Sequence, residues 1–214
     1  MPSMRSNMGN TLTEDRGTWI PQKRLQAGGR STAIRGAVYM SEQSCPYDEE
    51  FDGNDFCALH LIGSVDREPA GCLRMRFFAD FAKLERLAVR HEFRGTSLAL
   101  DMCRAAKELA RLKGYTRIYG HVQPRLVAFW KRLGARPMES RGPLVFSDFS
   151  YTEMLVETEP HPHALSLATD PYVLIRPEGA WDRPGPLELS AARPAPSPGH
   201  DTQDAQEAPN RQAA

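Results

Sequence analysis

Residues 82–99, AKLERLAVRHEFRGTSLA, determine how the rest of the chain is interpreted. An apolar run ends at Val89, and the turn-forming residues Arg94-Gly95-Thr96-Ser97 follow closely. Apolar residues then recur with a helical period from Leu98 to Leu112. The stretch predicts a strand, a short loop and the start of a helix. Free backbone N–H groups and the positive dipole end at such a start suit a phosphate group.

The segments before this stretch predict one helix and two strands. Residues 31–44 have capping hydroxyl groups at their start and an apolar face that includes Ile34 and Val38, which indicates a helix. Residues 45–55 are acidic and contain Pro46, Gly53 and Asn54, which are typical of a loop. The apolar runs 56–62 and 70–78 predict antiparallel strands, and residues 82–89 predict a third strand beside them.

The segments after this stretch predict a second helix between further strands, followed by an extension. A strand is expected at 116–122, a helix opened by Pro124, and strands at 136–139 and 149–156. Residues 1–30 are expected to form a loose arm, and residues 31–156 a folded domain. Proline recurs after position 157, so we expect a partly ordered extension at 157–189 and a disordered tail at 190–214.

Charge is distributed unevenly along a chain that is neutral overall. Residues 41–66 carry seven acidic side chains and no Lys or Arg, whereas residues 74–141 carry a net charge of +10. A basic half favours an anionic ligand such as a phosphorylated cofactor or an acidic carrier protein. A solvated helix face is the alternative for the basic residues of the central helix. Nucleic acid is not expected, because exposed aromatic residues do not alternate with the basic ones.

Metal, disulfide and membrane roles have no support in the sequence. The four cysteines are widely spaced without a CxxC pair, so no metal is expected and a reducing cytoplasm is the expected location. His161 and His163 are two ligands at most, in a proline-rich stretch. No apolar run approaches the ~20 residues that a membrane span needs.

Three blocks of sequence resemble the Gcn5-related N-acetyltransferase (GNAT) superfamily. They are Leu84–Val89 with Phe93–Ala99, the Lys113-Gly114-Tyr115 turn with the following strand, and Phe129-Trp130-Lys131-Arg132-Leu133-Gly134-Ala135. The resemblance covers residues 31–156. It implies an α/β (α+β) fold with a mixed, mostly antiparallel sheet, a splayed central strand pair and helices on both faces.

The same resemblance implies where an acyl-CoA would bind. In this family the splayed strand binds the pantetheine arm through its backbone, and the Gly-containing loop binds the pyrophosphate. The implied cofactor-binding residues are Leu87, Ala88, Val89, Arg94, Gly95, Thr96, Ser97, Leu98 and Ala99. Backbone N–H groups of the strand could then polarise the thioester carbonyl.

A finer resemblance, to ElaA-like proteins and to acyl-homoserine-lactone and N-acyl amino acid synthases, lies upstream. The residues that carry it include Arg35, Glu50, Asp52, Asp55 and Arg74, which are the implied substrate residues. Glu50, Asp52 and Asp55 could contact a cationic substrate, or they could simply belong to a solvated acidic loop. In the alternative, Arg74 and Arg86 form ion pairs with Asp52 or Asp55 and order the acidic loop over the acceptor site.

Two positions depart from the family pattern. Ser97 stands where a glycine is usual, and its Cβ would restrict a backbone conformation with positive φ. Its hydroxyl and that of Thr96 could bind a phosphate or cap the helix. Trp130 replaces the tyrosine that protonates the thiolate in many members, and an indole cannot do so.

Glu85 is the first candidate for the general base that deprotonates the amine, because it lies on the splayed strand near the expected thioester. The alternative is a structural ion pair with a neighbouring arginine. His121 is the second candidate, since it ends the strand on the other side of the slot. A satisfied structural histidine is the alternative for His121, as it is for His60.

The sequence therefore predicts an N-acyltransferase that moves an acetyl or acyl group from acetyl-CoA or another acyl-CoA to the amine of a small molecule or peptide. An N-acyl synthase that takes its acyl chain from acyl carrier protein is the first alternative. A catalytically silent GNAT-fold scaffold is the second, motivated by Ser97 and Trp130. A homodimer is compatible with these interpretations.

Overall fold

The structure, a computed structural model, describes residues 24–138, 142 and 144–194. The chain divides into a unit that ends at Ala168 and a unit that begins at Thr169. Within the described residues, the first unit is built on a seven-stranded sheet. Its strands are Leu59–Val65 (β1), Glu68–Phe77 (β2), Ala82–Val89 (β3), Arg117–Val122 (β4), Arg136–Pro137 (β5), Leu144–Phe146 (β6) and Phe149–Glu157 (β7).

The sheet has the strand order β1-β2-β3-β4-β7-β5, and β6 forms a hairpin with β7. Every neighbouring pair is antiparallel except β3 and β4, which are parallel. Parallel neighbours need a long crossover, and here it contains the central helix. The predicted mixed, mostly antiparallel sheet is confirmed.

The central strand pair is splayed, as predicted. β3 and β4 pair only at Ala82 with Ile118 and at Lys83 with Tyr119. A β-bulge then follows in β3, where the pairing with β2 shifts register and Arg86 adopts a positive φ of 52°. A bulge bends its strand and increases the local twist. The second half of β3 therefore turns away from β4 and leaves a gap between them.

Helices cover both faces of this sheet. Arg24–Arg35 (α1) continues into a π-helical segment, Gly36–Glu42, and Tyr47–Glu50 (α2) is a single turn. Leu98–Leu112 (α3) has the predicted bounds, and Val127–Lys131 (α4) follows a 3-10 turn at Pro124–Leu126. Ile34 and Val38 pack against Cys72 and Ala88 on one face. Met102 of α3 contacts the opposite face at Gly63 and Gly71.

Several predicted boundaries are wrong. α1 begins at Arg24, so Arg24–Arg30 are helical rather than part of a loose arm. The acidic segment is not all loop, because Pro46 and three acidic side chains favour the helical turn of α2. Residues 56 and 57 belong to a 3-10 turn, and β1 starts at Leu59. Residues 1–23 of the predicted arm lie outside the described residues.

The second unit contains two short helices, Pro171–Leu174 (α5) and Pro186–Ala191 (α6). Between them, Arg176 binds both carboxylate oxygens of Glu188 at 2.8 and 2.9 Å. Ser190 and Ala191 end α6, so the predicted disordered tail does not begin at residue 190. Residues 195–214 of that tail lie outside the described residues. The boundary at residue 157 stays a prediction.

Gly120 lies where the splayed strands still approach each other. A Cβ at this position would lie 3.2 Å from the Trp130 ring and 3.3 Å from the Leu84 carbonyl oxygen. We expect Gly120→Ala to lower the free energy of unfolding by about 1–3 kcal/mol, because the backbone oxygen cannot give way. Urea unfolding measures this change. Gly36→Ala is the matched control, since a Cβ at Gly36 meets nothing within 4 Å. Equal stability of the two variants would contradict the predicted crowding.

Candidate active site

A cleft of about 690 Å³ lies at the gap between β3 and β4. Lys83 to Leu87 of β3 line one side of it, and His121, Val122 and Gln123 line the other. Tyr39 of the π-helical segment and Trp130 of α4 also contribute to its wall. Side chains of α2 and its following loop, and of the β6–β7 hairpin, complete it: Glu49, Glu50, Asp52, Leu144, Phe146 and Tyr151.

The edge of β3 that faces the gap presents mainly hydrogen-bond donors. Arg90 donates its N–H to Ala70 of β2, so the backbone groups of Leu87 and Val89 point the opposite way, into the gap. The carbonyl of Leu87 accepts a 2.7 Å hydrogen bond from the Tyr39 hydroxyl. The carbonyl of Val89 accepts one of 2.9 Å from Arg94 Nε. The N–H groups of Leu87 and Val89 therefore face the gap beside carbonyls that are already bonded.

The loop before α3 combines a glycine of positive φ with a hydroxyl group that accepts from the first N–H of the helix. Gly95 has a φ of 80°, which explains the glycine there. Ser97 has a φ of −72°, so its Cβ imposes no backbone strain. Thr96 donates to the carbonyl of Phe93 at 2.8 Å and accepts from the N–H of Leu98 at 3.3 Å. Thr96 is the capping residue of this turn.

Arg35 is a fully buried cation at the centre of an ion-pair network. It forms an ion pair with Glu50, contacts Asp55 at 2.5 Å and donates to the backbone oxygen of Glu50 at 2.7 Å. Burial opposes its charge, but the hydrogen bonds to Asp55 and Glu50 outweigh burial and raise its pKa. Arg35 thus fastens the acidic loop to α1.

Arg74 of β2 extends this network beneath the cleft. Its guanidinium contacts Asp52 at 2.6 Å, Asp55 at 2.9 Å and Glu85 at 2.8 Å. Burial opposes the ionisation of Asp52, but the hydrogen bond from Arg74 outweighs it and holds the pKa of Asp52 well below its usual range. The second oxygen of Glu85 binds Lys83 Nζ at 2.7 Å. Both carboxylate oxygens of Glu85 are therefore engaged by cations.

Arg86, at the bulge, joins β3 to α2. Its Nη2 donates to the backbone oxygen of Glu49 at 2.6 Å. Its Nε lies 3.4 Å from Glu50 Oε2, and neither of these buried atoms has a hydrogen-bond partner within the described residues. The positive φ of Arg86 is a strained conformation for a residue other than glycine. The strained backbone of Arg86 and the two buried atoms without a hydrogen bond, Arg86 Nε and Glu50 Oε2, therefore lie at the same point of the cleft wall.

His121 lines the cleft and is oriented by two neighbours. Tyr119, on the same face of β4, donates its hydroxyl proton to the Glu153 carboxylate on β7. The Tyr119 oxygen lies 2.7 Å from His121 Nε2 and can then only accept a hydrogen bond from it. This places the proton on Nε2 and leaves the lone pair on Nδ1. Burial and the nearby Lys83 lower the pKa of His121 below its ordinary 6.5.

The structure brings only part of the predicted site to the cleft. Glu85, His121, Leu87, Glu50 and Asp52 line it. Arg35, Asp55 and Arg74 lie outside the lining. Arg74 pairs with Asp52 and Asp55, as the ion-pair alternative anticipated, and Arg35 adds a pair with Asp55 that this alternative did not include. His60 contacts Ser31 and the backbone of Asp55, in a structural role.

Four cleft features escaped the sequence prediction. They are the hydroxyl of Tyr39 on the Leu87 carbonyl, the Tyr119–Glu153 pair, Lys83 and the β6–β7 hairpin. The alternation of Tyr119 with His121 would have placed both on one strand face. The hairpin could not be recognised from a glycine in its turn, because the turn residues Ser147 and Asp148 adopt positive φ without being glycines.

Most of the basic excess seen in the sequence is neutralised in the fold. Beyond the network, Arg90 pairs with Glu68 and Glu92, Arg94 with Glu42, and Arg117 with Asp80. Within the residues that the structure describes, no three His, Cys, Asp or Glu side chains are placed to share a metal ion. Nor does that part of the chain contain a helix long and apolar enough to cross a membrane.

Comparison with known proteins agrees with this geometry. The sequence model of the Acetyltransferase (GNAT) family matches residues 32–135. A Bacillus subtilis (strain 168) protein named "Putative acetyltransferase" is 29% identical over 106 residues, which is 48% of this chain and 72% of that protein.

Two solved structures share the fold. One is an acyl-CoA N-acyltransferase from Pseudomonas aeruginosa, with a TM-score of 0.58, 24% identity, and coverage of 65% of this chain and 99% of that one. The other is Escherichia coli ElaA, with a TM-score of 0.54, 21% identity, and coverage of 60% of this chain and 88% of that one.

Proposed function

This chain belongs to the GNAT superfamily, and on that basis we propose that it transfers an acetyl or other acyl group from acyl-CoA to the amine of a small molecule or peptide. The observation that carries the proposal is the open edge of β3. Its outward carbonyls at Leu87 and Val89 are already bonded, and Leu87, whose N–H points away from β2, lines the cleft. Such an edge suits a ligand that brings carbonyl oxygens.

The residues of the edge and loop fit an acyl-CoA. Its amide and thioester carbonyls need donors, which the N–H groups of Leu87 and Val89 supply from the gap. Its pyrophosphate needs a positive turn, which Gly95 and the start of α3 supply. When bound, the thioester supplies an activated acyl group. A fixed N–H directed at its carbonyl stabilises the negative charge that develops during acyl transfer.

We assign the general base to His121 rather than to Glu85. Both oxygens of Glu85 are already committed to ion pairs with Arg74 and Lys83. His121 has a pKa below its ordinary value and is neutral at pH 7, with its Nδ1 lone pair available. It can therefore accept the proton of the attacking ammonium or amine group. Glu85 and Lys83 act as fixed charges beside the reaction.

The departing thiolate needs no acid from α4. Trp130 is buried and packs over Gly120 of β4. Its indole N–H cannot supply a proton near neutral pH. Tyr39 is not the substitute, because burial raises the pKa of its hydroxyl and its proton is committed to the Leu87 carbonyl. A thiolate is weakly basic and can leave without a proton donor.

The direct test of this function is turnover. The full chain is incubated with acetyl-CoA and a panel of primary amines, and mass spectrometry follows the acylated amine while a thiol reagent follows free CoA. We expect one CoA released for each acyl amine formed. CoA release without any acyl amine, or no release with any amine, would overturn the proposal. Because ion pairs neutralise much of the basic half, acyl carrier protein is the weaker choice of donor.

Arg94 provides a test of the acyl-CoA site. Its Nη2 pairs with Glu42 at 2.5 Å, and this carboxylate competes with a phosphate for the guanidinium. We expect Arg94→Gln to weaken acetyl-CoA binding about 10-fold, because a charged hydrogen bond is lost. We expect Glu42→Gln to strengthen it about 2- to 5-fold, since an exposed pair is weak.

Titration calorimetry measures both changes in acetyl-CoA affinity. Arg104→Gln is the control, because Arg104 forms a comparable exposed ion pair with Asp101 on α3. Unchanged affinity in Arg94→Gln, or a loss of equal size in Arg104→Gln, would exclude Arg94 from the site.

A further inference from the structure

We propose that the acceptor is a primary amine that carries an aromatic or branched apolar group and no carboxylate. This inference rests on the proposed acyl transfer and specifies the acceptor of the same cleft. It follows from two facing walls, one of exposed rings and one of carboxylates. The β6–β7 hairpin forms the first wall, and α2 with its following loop forms the second.

The hairpin wall is apolar and lies against the catalytic histidine. Leu144, Phe146, Phe149 and Tyr151 all line the cleft. The rings of Phe146 and Tyr151 stack with centroids 3.9 Å apart, and Phe146 meets His121 edge-on at 5.7 Å. Phe146 is nevertheless 37% exposed. Exposed aromatic surface beside a catalytic group gains free energy when an apolar ligand covers it.

The facing wall is acidic. Glu49, Glu50 and Asp52 line the cleft, and Asp148 of the hairpin turn adds a fourth carboxylate at its rim. Glu50 is fully buried and paired with Arg35 and Arg86, so a bound ligand cannot reach its carboxylate. Asp52 and Glu85 are likewise paired, with Arg74 and with Lys83. Glu49 and Asp148 form no ion pair among the described residues, and these two leave the wall with a negative charge. An ammonium group is attracted to this wall, whereas a carboxylate on the acceptor is repelled.

A hydrogen bond holds the two walls together. The Ser147 hydroxyl, at the tip of the hairpin, donates to Glu49 Oε2 on α2. Ser147 and its neighbour Asp148 have positive φ values of 49° and 61°, which cost non-glycine residues energy. The tip therefore keeps a disfavoured conformation while it bridges to α2. This contact ties the hairpin tip to α2, so the rings and the carboxylates border the same opening.

The experiment compares acetyl transfer to three amines by the full chain. The probes are 2-phenylethylamine, L-phenylalanine, which adds a carboxylate to the same skeleton, and n-propylamine, which is too short to cover the rings. We expect kcat/KM for 2-phenylethylamine to exceed that for each other amine about 10-fold or more. Preference for L-phenylalanine, or equal use of all three, would overturn the inference but leave acyl transfer intact. No acylation of any primary amine would instead reject the proposed function.

A variant pair tests the wall itself. Phe146→Ala removes the ring that lines the cleft, and Val145→Ala is the control, because Val145 is exposed on the same strand and does not line the cleft. We expect Phe146→Ala to raise KM for 2-phenylethylamine about 10-fold and to leave n-propylamine unchanged. Val145→Ala should change neither. An equal loss of kcat with both amines would show that Phe146 acts through His121, which contradicts a binding wall.

Discussion

Replacing His121 by alanine is expected to lower kcat for acyl transfer about 100- to 1000-fold, the usual contribution of a positioned general base. His121 lines the cleft, and the Tyr119–Glu153 pair sets its tautomer. Its pKa lies below 6.5 because of burial and Lys83. The logarithm of kcat/KM should therefore rise with pH at acidic values and bend toward a plateau at the pKa of His121, below the ordinary value. Steady-state kinetics across pH measures both effects.

The control for this variant is His91→Ala, which removes an exposed imidazole from the 3-10 turn after β3. It should keep full activity. Tyr119→Phe tests the orientation of the base, since it leaves the imidazole and removes its hydrogen-bond partner. We expect a smaller loss of kcat and a shifted acidic limb. A His121→Ala variant with near-normal kcat would return the role of base to Glu85.

The second large effect is on stability. We expect Arg35→Ala to lower the free energy of unfolding by about 3–5 kcal/mol, because it takes the closest cation away from the fully buried carboxylate of Glu50. Arg35 is fully buried and binds Glu50, which is also fully buried, together with Asp55. Urea denaturation measures the change. Because this ion-pair network positions the loop that carries Glu50 and Asp52, activity should fall as well.

The matched control for Arg35 is Arg117→Ala, which breaks an ion pair with Asp80 between two side chains that are both about half exposed. Such a pair is worth about 0–1 kcal/mol. If both variants lost a similar free energy of unfolding, burial would not explain how much the Arg35 ion pairs contribute to stability. A stable Arg35→Ala protein that keeps its fold would contradict the structural role assigned to the network.

Much of the fold could be predicted because it depends on local periodicity. The bounds of Ala82–Val89 and Leu98–Leu112 are as predicted, since an apolar run and a helical repeat are signals within the segment itself. The family resemblance added the splay, which no local pattern contains. The bulge at Arg86 and the turn at Ser147 and Asp148 could not be predicted, because positive φ falls there on residues that do not favour it.

The candidate site was harder to predict than the fold. Its acidic residues were recognised, but their partners lie far along the chain, as Arg35 does from Asp55 and Arg74 from Asp52. Only the folded sheet brings such side chains together. Whether Glu85 is a base or an ion-pair partner depends on Lys83 and Arg74 at 2.7 and 2.8 Å, distances that sequence spacing does not determine.

The central claim is that the gap between β3 and β4 binds an acyl-CoA, and titration calorimetry of the full chain with acetyl-CoA tests it most directly. The account predicts saturable binding of one acetyl-CoA per chain, with a dissociation constant below about 1 mM. It also predicts weaker binding in Arg94→Gln and unchanged binding in Arg104→Gln. Absence of saturable heat up to about 1 mM acetyl-CoA would contradict the account.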